Sequence, residues 1–248
     1  MKSWTWAIAL LFACVVAHAD VAELLEQGDA FDAKLDNAHA LESYLRAEKL
    51  GATDPDTLTH IARQYALLMN DTESDEEQRR LGERALDYSK RAVATNPKHA
   101  KSVLSVALCY GRLIRFQDTR TKVEYSRFVK EYADRALKLD PTDSYAWHVL
   151  GAWNYELAQM GPFSRAFVKV VYGGMPPASN EEAERLFRKA VALAPDRVSH
   201  HAELGRTLAV LGKASEARIE LNKALSLPIR EKDDPESKKR AKEALARL

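Results

Sequence analysis

Two adjacent imidazoles, His200 and His201, are the first residues whose type could do chemistry, because paired histidines bind zinc or pass a proton. Neighbouring residues on a helix point about 100° apart, so this pair shares no face and suits packing better than ligation. A second cluster, Asp71, Glu73, Asp75, Glu76 and Glu77, has the carboxylates for a divalent cation. It lacks the glycine and the alternating spacing of a calcium loop, and reads as a solvated helix tip. No HExxH, CxxC, P-loop or GxSxG occurs in the 248 residues. Of the two cysteines, Cys14 lies in the N-terminal apolar run, which leaves Cys109 alone in the rest of the chain. A single thiol makes neither an internal disulfide nor a cysteine zinc site. The sequence therefore predicts no catalytic residue, no metal and no cofactor. Asn70-Asp71-Thr72 is a glycosylation sequon, which matters only in a cell that glycosylates.

The rest of the composition describes a framework. Lys plus Arg is 37 and Asp plus Glu is 36, a formal charge of +1, which gives no case for nucleic-acid binding. Ten glycines and nine prolines are few for a sandwich or barrel. The abundant Ala, Leu, Glu, Lys and Arg are good helix formers. The fold class expected is all-α.

Residues 1–19, MKSWTWAIALLFACVVAHA, have the layout of a secretory signal peptide. Lys2 precedes an apolar run, and Ala17 and Ala19 supply small residues before Asp20. The run is shorter than the roughly 20 residues of a spanning helix. The expectation is an exported protein starting at Asp20, periplasmic in a bacterium and otherwise secreted. Removing the segment takes Lys2 and leaves a formally neutral chain. Leu11-Phe12-Ala13-Cys14 offers lipoprotein anchoring at Cys14 as a weaker alternative, since Phe12 is large and Val15-Val16 prolong the apolar run.

Internal repeats organise residues 20–248. Trp147-His148-Val149-Leu150-Gly151, then Ala183 to Phe187, then Pro195 resemble the tetratricopeptide (TPR) pattern, with Asn154 in place of its aromatic. Small residues let two antiparallel helices approach, large ones fill the space, and proline ends the second helix. Five copies keep one phase: 21–54, 55–99, 100–143, 144–197 and 198–231. The resemblance implies a right-handed TPR-like α-solenoid of about five hairpins. The second and third copies exceed the standard length by about three helical turns, and the simplest expectation lengthens both helices of each hairpin. Pro235 to Leu248 reads as a capping helix with Asp234 as its N-cap.

The fourth copy carries an insert, 161–178. Gly161-Pro162 breaks the helix, and Phe163, Ala166, Phe167, Val170 and Val171 then fall on one helical stripe. In one reading Phe163 and Phe167 pack this helix against neighbouring hairpins. In the other it lies on a membrane, with Arg165 and Lys169 toward head groups.

The ordered run from Asp140-Pro141 through Trp147–Trp153, Pro162-Phe163-Ser164-Arg165, Pro176-Pro177-Ala178-Ser179, Phe187 and Leu204–Leu208 is similar to the regulator of microtubule dynamics family. The similarity is best over 140–245. That family includes an organelle-tethering member whose TPR domain binds phospholipids, so the resemblance implies a phospholipid or membrane-contact role beside a protein-binding one. A spanning segment is not expected.

The TPR resemblance also implies a concave groove lined by first helices. Its register assigns Arg63, Lys101, Leu104, Arg112, Tyr145, His148, Tyr155, Glu156 and Arg206 to that surface. The Lys and Asn of the family's carboxylate clamp are absent. The expectation is a non-enzymatic scaffold that holds a protein or peptide by cations (Arg63, Lys101, Arg112, Arg206) and flat rings (Tyr145, His148, Tyr155).

Overall fold

Aspartate and serine side chains start half of the helices. In the computed structural model, which describes residues 20–248, Asp36, Asp54, Ser74, Asp118, Asp143 and Ser179 each accept a backbone N–H in the first turn that follows. Residues 1–19, with the expected signal peptide and Cys14, lie outside the described residues. The chain divides into two compact units, Met1–Pro97 and Lys98–Leu248.

The described part of the first unit holds α1 (20–32), α2 (Asn37–Lys49), α3 (Pro55–Leu68) and α4 (Asp75–Thr95). Its core joins Ala40, Tyr44, Leu58, Ile61, Ala62 and Ala92. Gly28 is required here: a Cβ would stand 2.5 Å from the Tyr44 ring. The acidic run fulfils the helix-tip expectation. Ser74 caps α4, and Asp75, Glu76 and Glu77 fill its first turn, where the helix dipole favours negative charge.

The second unit holds α5 (Ala100–Leu113), α6 (Thr119–Leu139), α7 (Ser144–Ala158), α8 (Pro162–Tyr172), α9 (Asn180–Leu193), α10 (Val198–Val210), α11 (Ala214–Ser226) and α12 (Asp234–Leu245). Helices α5 and α6 pack as a pair, as do α7 and α9, and α10 and α11; α12 covers α10 and α11. Gly151 on α7 faces the Phe187 ring of α9, where a Cβ would stand 2.8 Å from the ring. Among the described residues there is no strand, and no helix is long and apolar enough to cross a membrane. The fold is all-α and TPR-like.

Two local expectations need correction. The extra length of the second and third hairpins does not fall on both helices. α3 and α5 are 14 residues each, whereas α4 and α6 have 21, and short 3-10 turns at Met69–Asp71 and Ile114–Phe116 join each pair. The caps Ser74 and Asp118 set those early starts. Likewise α12 begins at Asp234, with Asp233 as N-cap. The Asp234 carboxylate turns backward instead, and accepts the N–H groups of Arg230 and Glu231 at 2.8 Å.

Helix α8 differs from the packed-stripe reading. Only Val168 is buried; Phe163 is 91% exposed, and Phe167, Val170 and Val171 face solvent. The helix is held at its ends. Arg165 donates to the Leu157, Ala158 and Met160 carbonyls at the end of α7. Arg127 on α6 donates to the carbonyls of Tyr172 and Gly174. Gly173, at φ 77°, supplies the left-handed residue that ends α8.

Candidate functional site

The first helices of the second unit bring Arg112, Tyr145 and His148 toward groups that come much later in the chain. After Leu227, buried at the end of α11, residues 228–233 run without helix across α10, α7 and α5 before α12 begins. Glu231 accepts hydrogen bonds from the Tyr145 hydroxyl on α7 and the Arg197 guanidinium at the start of α10. Asp233 accepts from Arg112 on α5. The Arg197 guanidinium also lies over the Tyr145 ring, 4.4 Å from its centroid. Arg230 pairs with Asp196 at the rim. Loss of hydration, then the Glu231 charge, pushes the Tyr145 hydroxyl well above its ordinary range, so it stays protonated as the donor.

Beneath this strap sits a histidine pair. His148 and His200 stack with centroids 4.9 Å apart, and their Nδ1 atoms are 3.2 Å apart. One ring donates and the other accepts, which requires the accepting ring to be neutral and forbids both from being charged. Burial pushes His148 down to about 4, and His200 down to about 2. His201, the neighbour in sequence, points elsewhere, to Glu220 and the Pro195 carbonyl. Beside the pair, Glu203 receives Arg206 at 2.6 Å and Arg240 of α12 at 3.4 Å, and Arg206 lies over the Tyr155 ring at 5.0 Å.

The expected groove residues are thus placed as follows. Tyr145 and His148 meet around α7 and α10, and Tyr155 meets Arg206 there too. His148 is a packed, neutral ring and not a free contact. Arg112 and Arg206 are already ion-paired. Lys101 is exposed on α5; the Asp140 carboxyl is held below its ordinary range by hydrogen bonds from Thr142 first, with a smaller contribution from the Lys101 charge. Arg63 belongs to the first unit, where Asp32 pairs with it. Sequence reading missed Arg197, Glu203, Glu231, Asp233 and Arg240, and it expected His200 to pack without placing it beside His148. The mixed-charge stretch Arg230–Asp234 was the available signal, but pairings across 34 to 121 residues have no periodicity to reveal them.

Paired first and second helices with small residues at their crossings define a helical-repeat protein of the TPR class. Solved structures agree on the fold: TTC0263, a thermophilic TPR protein of Thermus thermophilus, matches with a TM-score of 0.65 at 21% identity over 91% of this chain and 99% of its own. MamA 41-end from Desulfovibrio magneticus RS-1 gives 0.52 at 14% identity, over 84% and 94%.

The chain belongs to the regulator of microtubule dynamics family: the model described as regulator of microtubule dynamics protein 1-3 matches residues 24–248. Regulator of microtubule dynamics protein 1 of Mus musculus is 27% identical over 98% of this chain and 80% of its own length. The Bos taurus protein 1 is 29% identical over 69% and 55%, and protein 2 of Rattus norvegicus 24% over 87% and 53%. Against these last two, this chain spans about half the relative's length.

These relatives overturn the expectation of an exported, periplasmic or secreted protein. They are named for microtubules, polymers of the cell interior, and the mouse alignment over 98% of the chain runs into the stretch read as a signal peptide. A short apolar run ending in Ala-X-Ala is a permissive pattern, and its resemblance to a cleavage site misled the reading.

Proposed function

We propose that this chain is a non-enzymatic TPR-like scaffold that takes a segment of a protein partner on the first-helix face of residues 98–248. The observation that carries this reading is the surface formed by Arg112, Tyr145 and Arg197, on which a non-helical segment of polypeptide already lies. Arginine forks and tyrosine rings give directed, amphipathic contact area to such a segment. The relatives' printed role makes polymerised tubulin and the proteins bound to it the first partners to test.

A photo-crosslinking residue in place of Lys101, exposed on α5, should yield discrete adducts with such a preparation. The same residue in place of Arg218, exposed on the second helix α11, should not. Adducts of equal yield at both positions would sink the face assignment.

A second reading rests on α8. Its exposed Phe163, Phe167, Val170 and Val171 form an apolar stripe fixed at both ends, a geometry suited to lying on a membrane surface. The chain should then float with anionic vesicles, and Phe163→Asp with Val170→Asp should abolish flotation. Both side chains are solvent-facing, so the melting curve should move by no more than about 0.5 kcal/mol in stability. Flotation that survives the double substitution would remove this reading.

A further inference from the structure

We propose that Glu231-Lys232-Asp233 is a built-in occupant of the first-helix face, and that the face recognises acidic segments with two carboxylates two residues apart. The proposal deepens the scaffold reading above by naming the chemistry of the partner and the means of its control.

The strap is held by charge. Glu231 rests on Tyr145 and Arg197, and Asp233 on Arg112. Between Leu227 and Asp234 no apolar side chain anchors it: Ile229, the one large apolar residue there, is 53% exposed. The ion-paired side chains keep a quarter to two-fifths of their surface in water: Arg112 27%, Arg197 33%, Glu231 26% and Asp233 43%. Ion pairs at that exposure contribute little each and exchange readily.

The helix that follows is held differently. Ala241 of α12 is fully buried with Val198, Ala202, Leu221 and Ala224, and Ala244, Leu245 and Leu248 pack beside it. Lys238 ties α12 to the Leu225 and Leu227 carbonyls. The cap therefore stays docked when the strap lifts. The strap's shape is also prepared. The buried Asp234 carboxylate fixes the backbone at Arg230 and Glu231, which sets the Glu231 and Asp233 side chains toward α7 and α5.

Three first helices thus present a cationic and phenolic surface to two carboxylates with one residue between them. An acidic segment of the same spacing in a partner has the chemistry to replace them. Because the strap is tethered, its effective concentration is on the order of mM, so it sets a threshold that only a concentrated or multivalent acidic partner overcomes.

The probe is a fluorescent peptide of this chain's own residues 226–236, titrated into the full chain at low salt. The Glu231→Gln/Asp233→Asn variant should bind it at least tenfold more tightly than the unmodified chain. Adding Arg112→Gln and Arg197→Gln should remove that gain, and the peptide carrying Glu231→Gln and Asp233→Asn should not bind. Excess peptide added to the unmodified chain should speed amide exchange at 229–233 and leave α12 protected. Equal affinity of variant and unmodified chain would overturn the proposal, as would a peptide that binds without its carboxylates. So would a variant that no longer folds, or exchange that rises through α12 together with the strap. The peptide needs no natural partner, so failure here with Lys101 adducts intact would remove the strap and leave the scaffold.

Discussion

Replacing Phe187 with alanine should lower the unfolding free energy of the second unit by about 3–5 kcal/mol. Phe187 is fully buried on α9, and its ring lies against Gly151 of α7. It shares a cluster with Tyr155, Ala183, Leu204, Leu208 and Ala217, and the His148 ring meets it edge-on at 5.3 Å. One side chain therefore joins α7, α9 and α10, and its loss leaves a cavity that three helices cannot close together. The complementary substitution Gly151→Val pushes a branched side chain into the same ring and should cost about 1–3 kcal/mol. In the Phe187→Ala background that cost should shrink, because the added methyls enter the space the ring has left. Urea unfolding followed by helical circular dichroism measures all four proteins. A Phe187→Ala loss below about 1 kcal/mol, or strict additivity of the pair, would show that the contact between α7 and α9 is not packed as described.

Acidification should destabilise the second unit from pH 6.5 downward, both histidines contributing to about pH 4 and His200 alone below it. In the unfolded chain both imidazoles take a proton near pH 6.5. In the fold they stay neutral, His148 down to about 4 and His200 to about 2, because burial disfavours the charged form and two charged rings stacked this closely repel. Over this interval the unfolded state binds more protons than the native one, so stability rises with pH. The stabilisation is complete above pH 6.5 and falls as pH drops below it, by about 1.4 kcal/mol per unit of pK difference. The neighbouring cations Arg197 and Arg240 act in the same direction on His148, and the Glu203 carboxylate opposes them. Glu156, whose carboxyl is raised by loss of hydration, titrates with the opposite sign and offsets part of the loss. The carboxyls held low by their donors, such as Asp54 and Glu184, lose their contribution only as pH falls below the carboxylate range. His148→Phe with His200→Leu should flatten the stability profile between pH 6.5 and 4. A profile equally steep in that variant would assign the slope to other groups.

The helices were legible because their signals are local. Asp54-Pro55, Ser74 and Asp143 announce helix starts, and the spacing of Gly28, Gly151 and Phe187 announces close helix pairs. The division of the long hairpins was less legible, since added turns leave the apolar phase unchanged wherever they are inserted. At α8 the same stripe fitted a packed helix and an exposed one. The anchoring of its ends, by Arg165 locally and by Arg127 from 45 to 47 residues away, holds the helix with Phe163 outward. The first-helix face was half visible. Repeat register reached Arg112, Tyr145 and Arg206, but their partners Asp233, Glu231 and Glu203 satisfy no repeat position. Register likewise took His148 for an open contact, because nothing in its spacing tells of His200 stacked upon it.

The link from Arg112 to Asp233 spans 121 residues, and that distance has a meaning during synthesis. A ribosome adding about 5–20 residues per second delivers Asp233 on the order of ten seconds after Arg112. Through that interval α5 and α7 can form while Arg112 and Tyr145 have no carboxylate to meet. A newborn chain is then open to acidic company for as long as residues 228–233 are unmade, and becomes selective only once they are added.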